Sequence, residues 1–511
     1  MMNMKFILSS IFVTLLIIGC GQDRDADPKY VRIAISSNPQ SLDPALATDV
    51  NSGDILAKLF NGLVRFDGIS VVPDLAETWT VSPDGVNYNF LIRKNVKFQN
   101  GRELTASDIA ASFSRILDPK TRSKRTWVFD AVDTFFAEGN RFKMILKHPS
   151  APFLSLLAMP TCYIVPIEEV NRLGDEFARR PCGTGPYRFV RWEDDRSVLL
   201  EKNKNYFEGA PEVEGIIYRI VPEPLTQTAL LKRGSLDICE IPEMQIPVFR
   251  NDSVWKERIQ TVDQLVTVYV AINTERFTDE RIRRAFNMAI DVDKIISSIR
   301  NGLGTRSTGS VPPALMPEKI TGFEYNPIEA KRLLKSADFD FNKKIVLLRS
   351  SVRGTLEPAE AIAGFLRDIG LKIQIEPMEF SAMRGRANKG DFDLCLLNWY
   401  ADYADAENFI APLFSSKNIG SAGNRSRFSD SETDSMIEKI LSLCQGNERG
   451  SAIIAVSKRI IKKAPWIFLW YPRTAVAVSP RISGYTIPAI FNGDKGTKYK
   501  IVKREVRQRN D

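Results

Sequence analysis

The sequence predicts an α/β fold, and the clearest evidence is a strand–helix–strand pattern in its second half. The stretch "KIVLLRSS" (344–351) has the composition of a buried strand, "PAEAIAGFLRDIG" (358–370) that of a helix ending at a glycine, and "LKIQIEP" (371–377) alternates as a strand does. A further strand, "DFDLCLLNW", follows at residues 391–399. Because ligands of open α/β sheets usually lie beyond the carboxyl ends of the strands, the residues after this strand are predicted to border a crevice.

The same periodicities predict the other elements. The stretch "KYVRIAISSNPQSLDP" begins with an alternating strand, and "QLVTVYVAIN" predicts another from about residue 264. Thr105 and Asp108 form a capping-box pattern at the start of an amphipathic helix that Asp118-Pro119 ends. One long helix is predicted over "DERIRRAFNMAIDVDKIISSIR". At 511 residues, the chain is long enough for two or three domains.

The N-terminus has the pattern of an export signal. Lys5 precedes an uncharged apolar run from residue 6 to residue 19, which is shorter than the roughly 20 residues of a membrane-spanning helix. The run ends in Gly19-Cys20, which resembles a bacterial lipobox, so Cys20 is predicted to carry a lipid that anchors the mature protein outside the cytoplasm. The alternative is an ordinary signal peptide with an incidental cysteine.

Charge and cysteine content exclude several classes of site. The formal charge is +8, and the basic tail "KYKIVKREVRQR" is interpreted as a late strand with a solvated face rather than a nucleic-acid site. There is no CxxC pattern and His148 is the only histidine, so neither a metal nor a cofactor is expected. Cys162 and Cys182 flank a compact segment and are predicted to form a disulfide.

The stretch "NWYADYADAENF" (398–409) places Asp402, Asp405 and Glu407 among aromatic residues. A carboxylate resists burial unless a positive or hydrogen-bonding group meets it, so this stretch is predicted to receive a cation. The structural alternative for Asp402 is an exposed aspartate that caps the following helix, although Asp405 is better positioned for that role. A glycosidase pair formed by Asp402 and Asp405 is a further alternative, with no other support in the sequence.

Four separated stretches together resemble the extracytoplasmic oligopeptide- and dipeptide-binding proteins of ABC importers (solute-binding protein family 5). They are "PDLAETWTVSPDGVNYNFLIRKNVKFQNGRELTASDIAASFSRI" (73–116), "GTGPYRFVRWEDDRSVLLEKNKNYFEGAPEVEGIIYRIV" (183–221), "AINTERFTDERIRRAFNMAIDVDKI" (271–295) and the aromatic–acidic stretch at 398–409. The resemblance implies an α/β fold of the type II periplasmic-binding-protein kind, with two lobes around a central cleft and an extra subdomain in the N-terminal lobe.

The resemblance also implies a domain order along the chain. We expect a signal peptide at 1–19, a lipidated N-terminus and tether at 20–29, lobe I at 30–72 and 183–263 with the extra subdomain at 73–182 between them, lobe II at 264–477, and a return to lobe I at 478–511.

For the binding site, the resemblance implies that Asp402 holds the α-ammonium group of a peptide and that the backbone of Asn398, Trp399 and Tyr400 pairs with the peptide as a strand. The opposite edge is placed by spacing at Ala47, Thr48 and Asp49. Candidates for a carboxylate-binding residue are Arg349 and Arg353, and Tyr269 is a candidate for facing the cleft, with core packing as its alternative. Ala406 stands where many relatives have a proline, which is expected to loosen the loop.

The expected function is therefore binding rather than catalysis. The chain is expected to be an extracytoplasmic, lipid-anchored monomer that captures short peptides by hinge closure and delivers them to the permease and ATPase subunits of an ABC transporter. The alternatives are another small solute such as a sugar, a metal complex or an amine, a peptide receptor for signalling, or an extracytoplasmic hydrolase. The sequence has no GxSxG, HExxH or P-loop pattern to support an enzyme.

Overall fold

A computed structural model describes residues 27–352 and 354–502. The predicted signal sequence, Cys20 and Arg353 lie outside the described residues, as does the tail from residue 503. No helix within the described ranges is long and apolar enough to cross a membrane.

The described chain forms twenty strands: β1 (Tyr30–Ile35), β2 (Val64–Asp67), β3 (Ser70–Pro73), β4 (Ala76–Val81), β5 (Asn87–Ile92), β6 (Val132–Glu138), β7 (Arg141–Leu146), β8 (Tyr187–Glu193), β9 (Ser197–Lys202), β10 (Gly215–Ile220), β11 (Ile238–Glu240), β12 (Ile259–Asp263), β13 (Val266–Ile272), β14 (Gly304–Arg306), β15 (Lys344–Ser350), β16 (Lys372–Met378), β17 (Leu394–Tyr400), β18 (Trp466–Val478), β19 (Ile482–Ser483) and β20 (Lys500–Ile501).

The α-helices of the same residues are α1 (Val50–Leu59), α2 (Ala106–Leu117), α3 (Phe153–Leu157), α4 (Ile167–Leu173), α5 (Pro224–Lys232), α6 (Ile246–Arg250), α7 (Glu280–Met288), α8 (Val292–Ser298), α9 (Pro327–Ser336), α10 (Leu356–Asp368), α11 (Phe380–Lys389), α12 (Ala411–Phe414), α13 (Ser431–Ser442) and α14 (Asn447–Lys463).

One large sheet runs through the molecule in the order β16-β15-β17-β13-β18-β11-β1-β10-β9-β8, and β12 and β14 also pair with β18. We call the part around β1 and β8 to β12 lobe I, and the part around β13 to β17 lobe II. Each part has its own hydrophobic core of aliphatic and aromatic side chains. The predicted α/β fold with two lobes is therefore confirmed.

A separate antiparallel sheet, β4-β5-β7-β6, is formed by the chain between β1 and β8 and packs on helix α2. Thr105 and Asp108 cap this helix as the sequence predicts, with the backbone N–H of Thr105 donating to the Asp108 carboxylate at 2.8 Å. The hydrophobic cluster of this small sheet continues into lobe II through Tyr403 and Phe409. The small sheet thus contacts lobe II directly on one side of the cleft.

The lobes are joined by an antiparallel ribbon. Strand β18 pairs with β12 on the lobe I side, from Asp263 opposite Arg473, and with β13 on the lobe II side, from Val268 opposite Trp470. Between these ladders, the backbone N–H of Gln264 donates to the carbonyl of Pro472 at 3.0 Å. The two strands of the ribbon therefore remain hydrogen-bonded to each other where they pass from one lobe to the other.

After β18 the chain lies against lobe I. The buried Lys495 ammonium donates to the Asp74 carboxylate and to the carbonyl of Phe60, each at 3.0 Å. Burial lowers the pKa of Lys495, while the neighbouring Asp74 raises it. This contact fixes the C-terminal segment to the first part of the chain.

One detail of the predicted secondary structure is wrong. The single long helix predicted over 279–300 is two helices, α7 and α8, because the chain leaves the helix at Ala289 and the Asp291 side chain caps a new one by accepting from the N–H of Lys294. The late strand predicted in the basic tail is present within the described residues as the two-residue β20, which pairs with β19.

Candidate functional site

A cavity beside the sequence-predicted site lies at the carboxyl ends of two parallel strands of lobe II. Strands β15 and β17 end at Ser350 and Tyr400, and both residues line a cavity of about 580 Å³. This volume is within the range of sites for small ligands, roughly 300 to 1,000 Å³. The position agrees with the rule that open α/β sheets bind ligands at the carboxyl ends of their strands.

One edge of β17 is open inside this cavity. On one side, all of β17 from Leu394 to Tyr400 pairs with β13. On the other side, β15 pairs only with Leu394 and Cys395. Residues 396–400 all line the cavity, so their second backbone edge has no strand partner in the described chain. Such an edge can accept an extended backbone as an additional strand.

The three acids that follow β17 have three different partners. Asp402 accepts a hydrogen bond from Nη1 of Arg125 at 2.6 Å, Asp405 is paired with Arg449, and Glu407 accepts from the Tyr403 hydroxyl. Only Asp402 lines the large cavity. The predicted role of Asp405 as a helix cap is confirmed, because its carboxylate accepts from the N–H of Glu407 at 2.8 Å at the start of a 3₁₀ helix.

Asp402 stands where lobe I and lobe II meet. Its side chain is 30% exposed, and that of Arg125 is 20% exposed. Arg125 lies in lobe I, before the 3₁₀ helix Thr126–Phe129, and its Nη2 also donates to the carbonyl of Thr48 at 3.4 Å. The ion pair therefore connects the predicted site residues of the two lobes.

The predicted opposite edge, Ala47 to Asp49, does meet Asp402. These residues line a second cavity with Asp402, Arg125 and Phe491, and it measures only about 20 Å³. Asp49 itself caps helix α1 by accepting from the N–H of Ser52 at 2.9 Å. The structure brings these two parts of the predicted site together, with Arg125 occupying the space between them.

Sequence analysis missed Arg125. It lies in the stretch "KTRSKRTWVF", which contains three other basic residues, and nothing in that stretch distinguishes the one that crosses the cleft. Its guanidinium lies 5.9 Å from the ring centre of Trp127, and that ring in turn contacts Tyr403 at 6.2 Å between centres. The aromatic contacts hold the arginine near Asp402.

Trp399 lines the large cavity, and its ring N–H donates to the Asn408 side chain at 3.2 Å. The same Asn408 oxygen accepts from the backbone N–H of Asp402 at 3.1 Å. Asn408 is buried, so it fixes both the tryptophan ring and the backbone that carries the acid. Asn398 and Tyr400 are exposed at the cavity.

Two other candidate site residues, Tyr269 and Arg349, make structural contacts. Tyr269 is 1% exposed and stacks on Trp466 with ring centres 3.4 Å apart, so it belongs to the core and does not face the cleft. Arg349 does not line the cavity, because its Nη1 donates to the carbonyl of Ser350 and to the Thr355 hydroxyl, at 2.9 and 3.4 Å. It holds the loop after β15 instead.

The predicted disulfide is not formed, since Cys162 and Cys182 are free thiols. Cys162 is buried in the core of the small sheet, where its Sγ lies 3.5 Å from the carbonyl oxygen of Leu156. Cys182 packs against the separate core of lobe I. Burial raises the pKa of both thiols, that of Cys182 to about 11. The two side chains belong to different hydrophobic clusters.

Enzyme and metal chemistry find no support at this site. Asp405, the second acid of the glycosidase alternative, is buried away from the cavity, and no histidine lines it. Among the described residues, no group of three or more histidine, cysteine or acidic side chains is placed to hold a metal ion.

Two α/β lobes joined by crossing strands, with a site at the strand ends between them, define a type II periplasmic binding protein. The model of the family "Bacterial extracellular solute-binding proteins, family 5 Middle" matches residues 70–421. The chain belongs to this family of solute-binding proteins.

Similar proteins have several stated ligands. The chain is 28% identical to heme-binding protein A of Haemophilus influenzae, over 95% of this chain and 97% of that protein. It is 29% identical to di/tripeptide-binding protein 2 of Pseudomonas aeruginosa, over 90% and 93%. Among solved structures, it is similar to the periplasmic binding protein DppA of Helicobacter pylori in complex with the peptide STSA, with a TM-score of 0.78, 26% identity and coverage of 93% and 98%.

Proposed function

We propose that this chain captures short peptides with a free amino terminus and delivers them to the membrane permease of an ABC importer. The observation that carries the proposal is the open edge of β17 at residues 396–400, which lies inside the 580 Å³ cavity and ends two residues before Asp402. Backbone pairing along this edge gives affinity for any peptide, whatever its side chains.

In this proposal, Asp402 holds the peptide ammonium at the end of the open edge. An ammonium enclosed between lobes loses its hydration, and a carboxylate offsets that loss when it can form a charge-assisted hydrogen bond. Arg125 supplies a positive charge beside Asp402. The peptide ammonium is therefore proposed to compete with Arg125 for the same carboxylate.

Some relatives bind peptides, but sequence identity alone does not distinguish a peptide from other ligands. The heme-binding and di/tripeptide-binding proteins are about equally similar to this chain, at 28% and 29%. The open backbone edge favours the peptide, because a peptide supplies the alternating N–H and C=O groups that such an edge requires. The proposal includes a lipid anchor at Cys20 and closure of the lobes around the ligand.

Calorimetry tests the role of Asp402. Free and N-acetylated tri-alanine are titrated into the wild type and Asp402→Asn, with Asp391→Asn as the control, since Asp391 is an exposed acid of the same lobe paired with Arg386. Acetylation should weaken wild-type binding about tenfold or more, as expected for loss of a hydrogen bond to a charged group. It should have little further effect in Asp402→Asn, because both changes remove one interaction. Equal wild-type affinity for the two peptides contradicts the proposal.

A further inference from the structure

Lobe I presents an acid to the cleft at the end of strand β11. Strands β1 and β11 are parallel neighbours, with Ile33 opposite Ile238, so their carboxyl ends lie at the same edge of the sheet. The chain after β1 leads to Ala47 to Asp49, which line the small gap beside Asp402. Glu240 is the last residue of β11, so it lies at this same edge of lobe I and faces the cleft.

Glu240 has no positive partner within the part of the chain that the structure describes. The residue is exposed, and no described cation or hydrogen-bond donor contacts its carboxylate. The next acid along the chain, Glu243, is different, because it pairs across the cleft with Arg300 of lobe II at 2.8 Å. Of these two acids, which are three residues apart, Glu240 is the one whose charge the described protein leaves unpaired.

The surroundings of Glu240 disfavour its negative charge. Solvent reaches the carboxylate, but the protein around it desolvates it in part and raises its pKa, and the charge of Glu243 raises that pKa further. Burial also raises the pKa of the Tyr400 hydroxyl, and Glu240 raises it further, which places this acid near the end of the open β17 edge. A cation beside Glu240 would offset both the desolvation and the repulsion from Glu243.

A second unpaired group indicates that a ligand extends to this end of the cavity. Trp470 lines the cavity and is 2% exposed, and its indole N–H has no acceptor among the described residues. The guanidinium of Arg300 lies 5.0 Å from the centre of a Trp470 ring, so Trp470 is a neighbour of the pair formed by Arg300 and Glu243. A buried donor without an acceptor is destabilising, and a ligand carbonyl at this position would satisfy it.

We propose that Glu240 forms a cation-binding subsite on lobe I, and that the preferred ligand is a peptide with a lysine or arginine side chain that reaches it. Asp402 and Glu240 then bind two different positive groups of one ligand, the amino terminus and the side chain. This inference rests on the proposed function, because it assumes that the peptide backbone lies along the open edge of β17.

Three pairs of tripeptides test the subsite. In each pair, one alanine of tri-alanine is replaced by lysine or by Nε-acetyl-lysine, which keeps the long side chain and removes its charge, and the three pairs differ in the position of the replacement. Titration calorimetry at low salt should show about tenfold tighter wild-type binding for the charged member of at least one pair. Equal affinity within all three pairs overturns the subsite and leaves the proposed function standing.

Variants locate the effect. Glu240→Gln should bind the acetylated peptides as the wild type does and should lose most of the preference for the charged ones. Glu240→Lys should reverse the preference, because a like charge then meets the lysine. Glu257→Gln is the matched control, since Glu257 is an exposed acid of lobe I that lines neither cavity, and it should keep the full difference. The subsite is wrong if both Glu240 variants, folded by circular dichroism, discriminate as the wild type does.

A probe without a peptide backbone separates this inference from the proposed function. If none of the six peptides binds, the proposed function fails, and butylamine is then titrated into the wild-type protein and Glu240→Gln, observed by NMR. Butylamine binding that the variant loses supports a cation subsite for another class of ligand. No binding, or equal binding to both proteins, overturns it.

Discussion

Arg449 donates from its two terminal nitrogens to the two carboxylate oxygens of Asp405, at 2.7 and 3.2 Å, and both side chains are at most 5% exposed. The pair lies directly behind the loop that carries Asp402. The acids of this loop therefore have different roles: Asp405 stabilises the fold, and Asp402 is available for binding. Asp405 supports the loop from within, whereas Asp402 faces the cleft.

The first prediction is that Asp405→Asn is strongly destabilising. Removing one member of a buried ion pair leaves the other charge without a partner and typically costs about 3 to 5 kcal/mol. Asp402→Asn is the matched control, and since its pair with Arg125 is partly exposed, it should cost about 1 kcal/mol or less. Urea unfolding of the three proteins measures both values. Similar free energies of unfolding for the two variants would contradict the prediction that Asp405 stabilises the fold more than Asp402 does.

The second prediction concerns pH and Glu407. Burial raises the pKa of this carboxyl to about 7, although the hydrogen bond from the Tyr403 hydroxyl lowers it. The pKa of Glu407 in the folded protein is above its ordinary value of 4.5. The contribution of this group to the free energy of unfolding is therefore complete below about pH 4.5 and is lost as the pH rises to about 7. The loss amounts to at most about 3 kcal/mol.

Urea unfolding at pH 5 and pH 7.5 checks this prediction. The free energy of unfolding of the wild type should fall between the two values by more than that of Glu407→Gln, whose amide does not titrate. The variant lacks only the titration of residue 407. The effects of all other titrating residues on the free energy of unfolding are the same in both proteins and cancel in the comparison. An identical pH dependence in both proteins would show that Glu407 has an ordinary pKa.

The third prediction is that Arg125→Gln tightens the binding of peptides with a free amino terminus. If the ligand ammonium competes with Arg125 for Asp402, removing the competitor raises the apparent affinity. A partly exposed pair is worth about 1 kcal/mol, so the gain should be up to about fivefold. N-acetylated peptides should not gain. Weaker binding of the free peptide in Arg125→Gln would mean that this arginine assists the ligand.

The fourth prediction is that the lobes separate and close during binding. The gap between Ala47 to Asp49 and Asp402 is about 20 Å³, which leaves no room for a peptide end while Arg125 is in place. In solution the ligand-free protein should therefore populate a more open form, and saturating peptide should lower the radius of gyration. Small-angle scattering measures this change. An unchanged radius at confirmed saturation would indicate a rigid site.

The fifth prediction is lipidation at Cys20. A lipidated cysteine becomes the mature N-terminus and retains the protein at the membrane, so Cys20→Ala should release the protein from the membrane fraction and alter its mature mass. Fractionation followed by mass spectrometry of the intact protein measures both. Membrane association and mass that are the same as in the wild type would exclude this anchor.

The elements that the sequence predicts well are those whose evidence is local. The alternation of β1, the cap of α2 at Thr105 and the strand–helix–strand pattern of β15, α10 and β16 all depend on residues close together in the chain. The break between α7 and α8 was missed because the apolar positions continue at helical spacing through it.

The partners of the site residues are not local, and sequence analysis did not find them. Arg125 lies 277 residues before Asp402, and Arg449 lies 44 residues after Asp405. Each pair depends on how separate elements pack.

The ribbon formed by β12, β13 and β18 restricts how the two lobes move. A hydrogen-bonded pair of strands bends out of its plane with its ladder intact, whereas sliding or stretching within the plane breaks hydrogen bonds such as that between Gln264 and Pro472. We therefore expect the proposed closure to be a rotation about an axis across the ribbon. In such a rotation, the side of the cleft opposite the ribbon opens furthest. Ligands are therefore expected to enter and leave on that side.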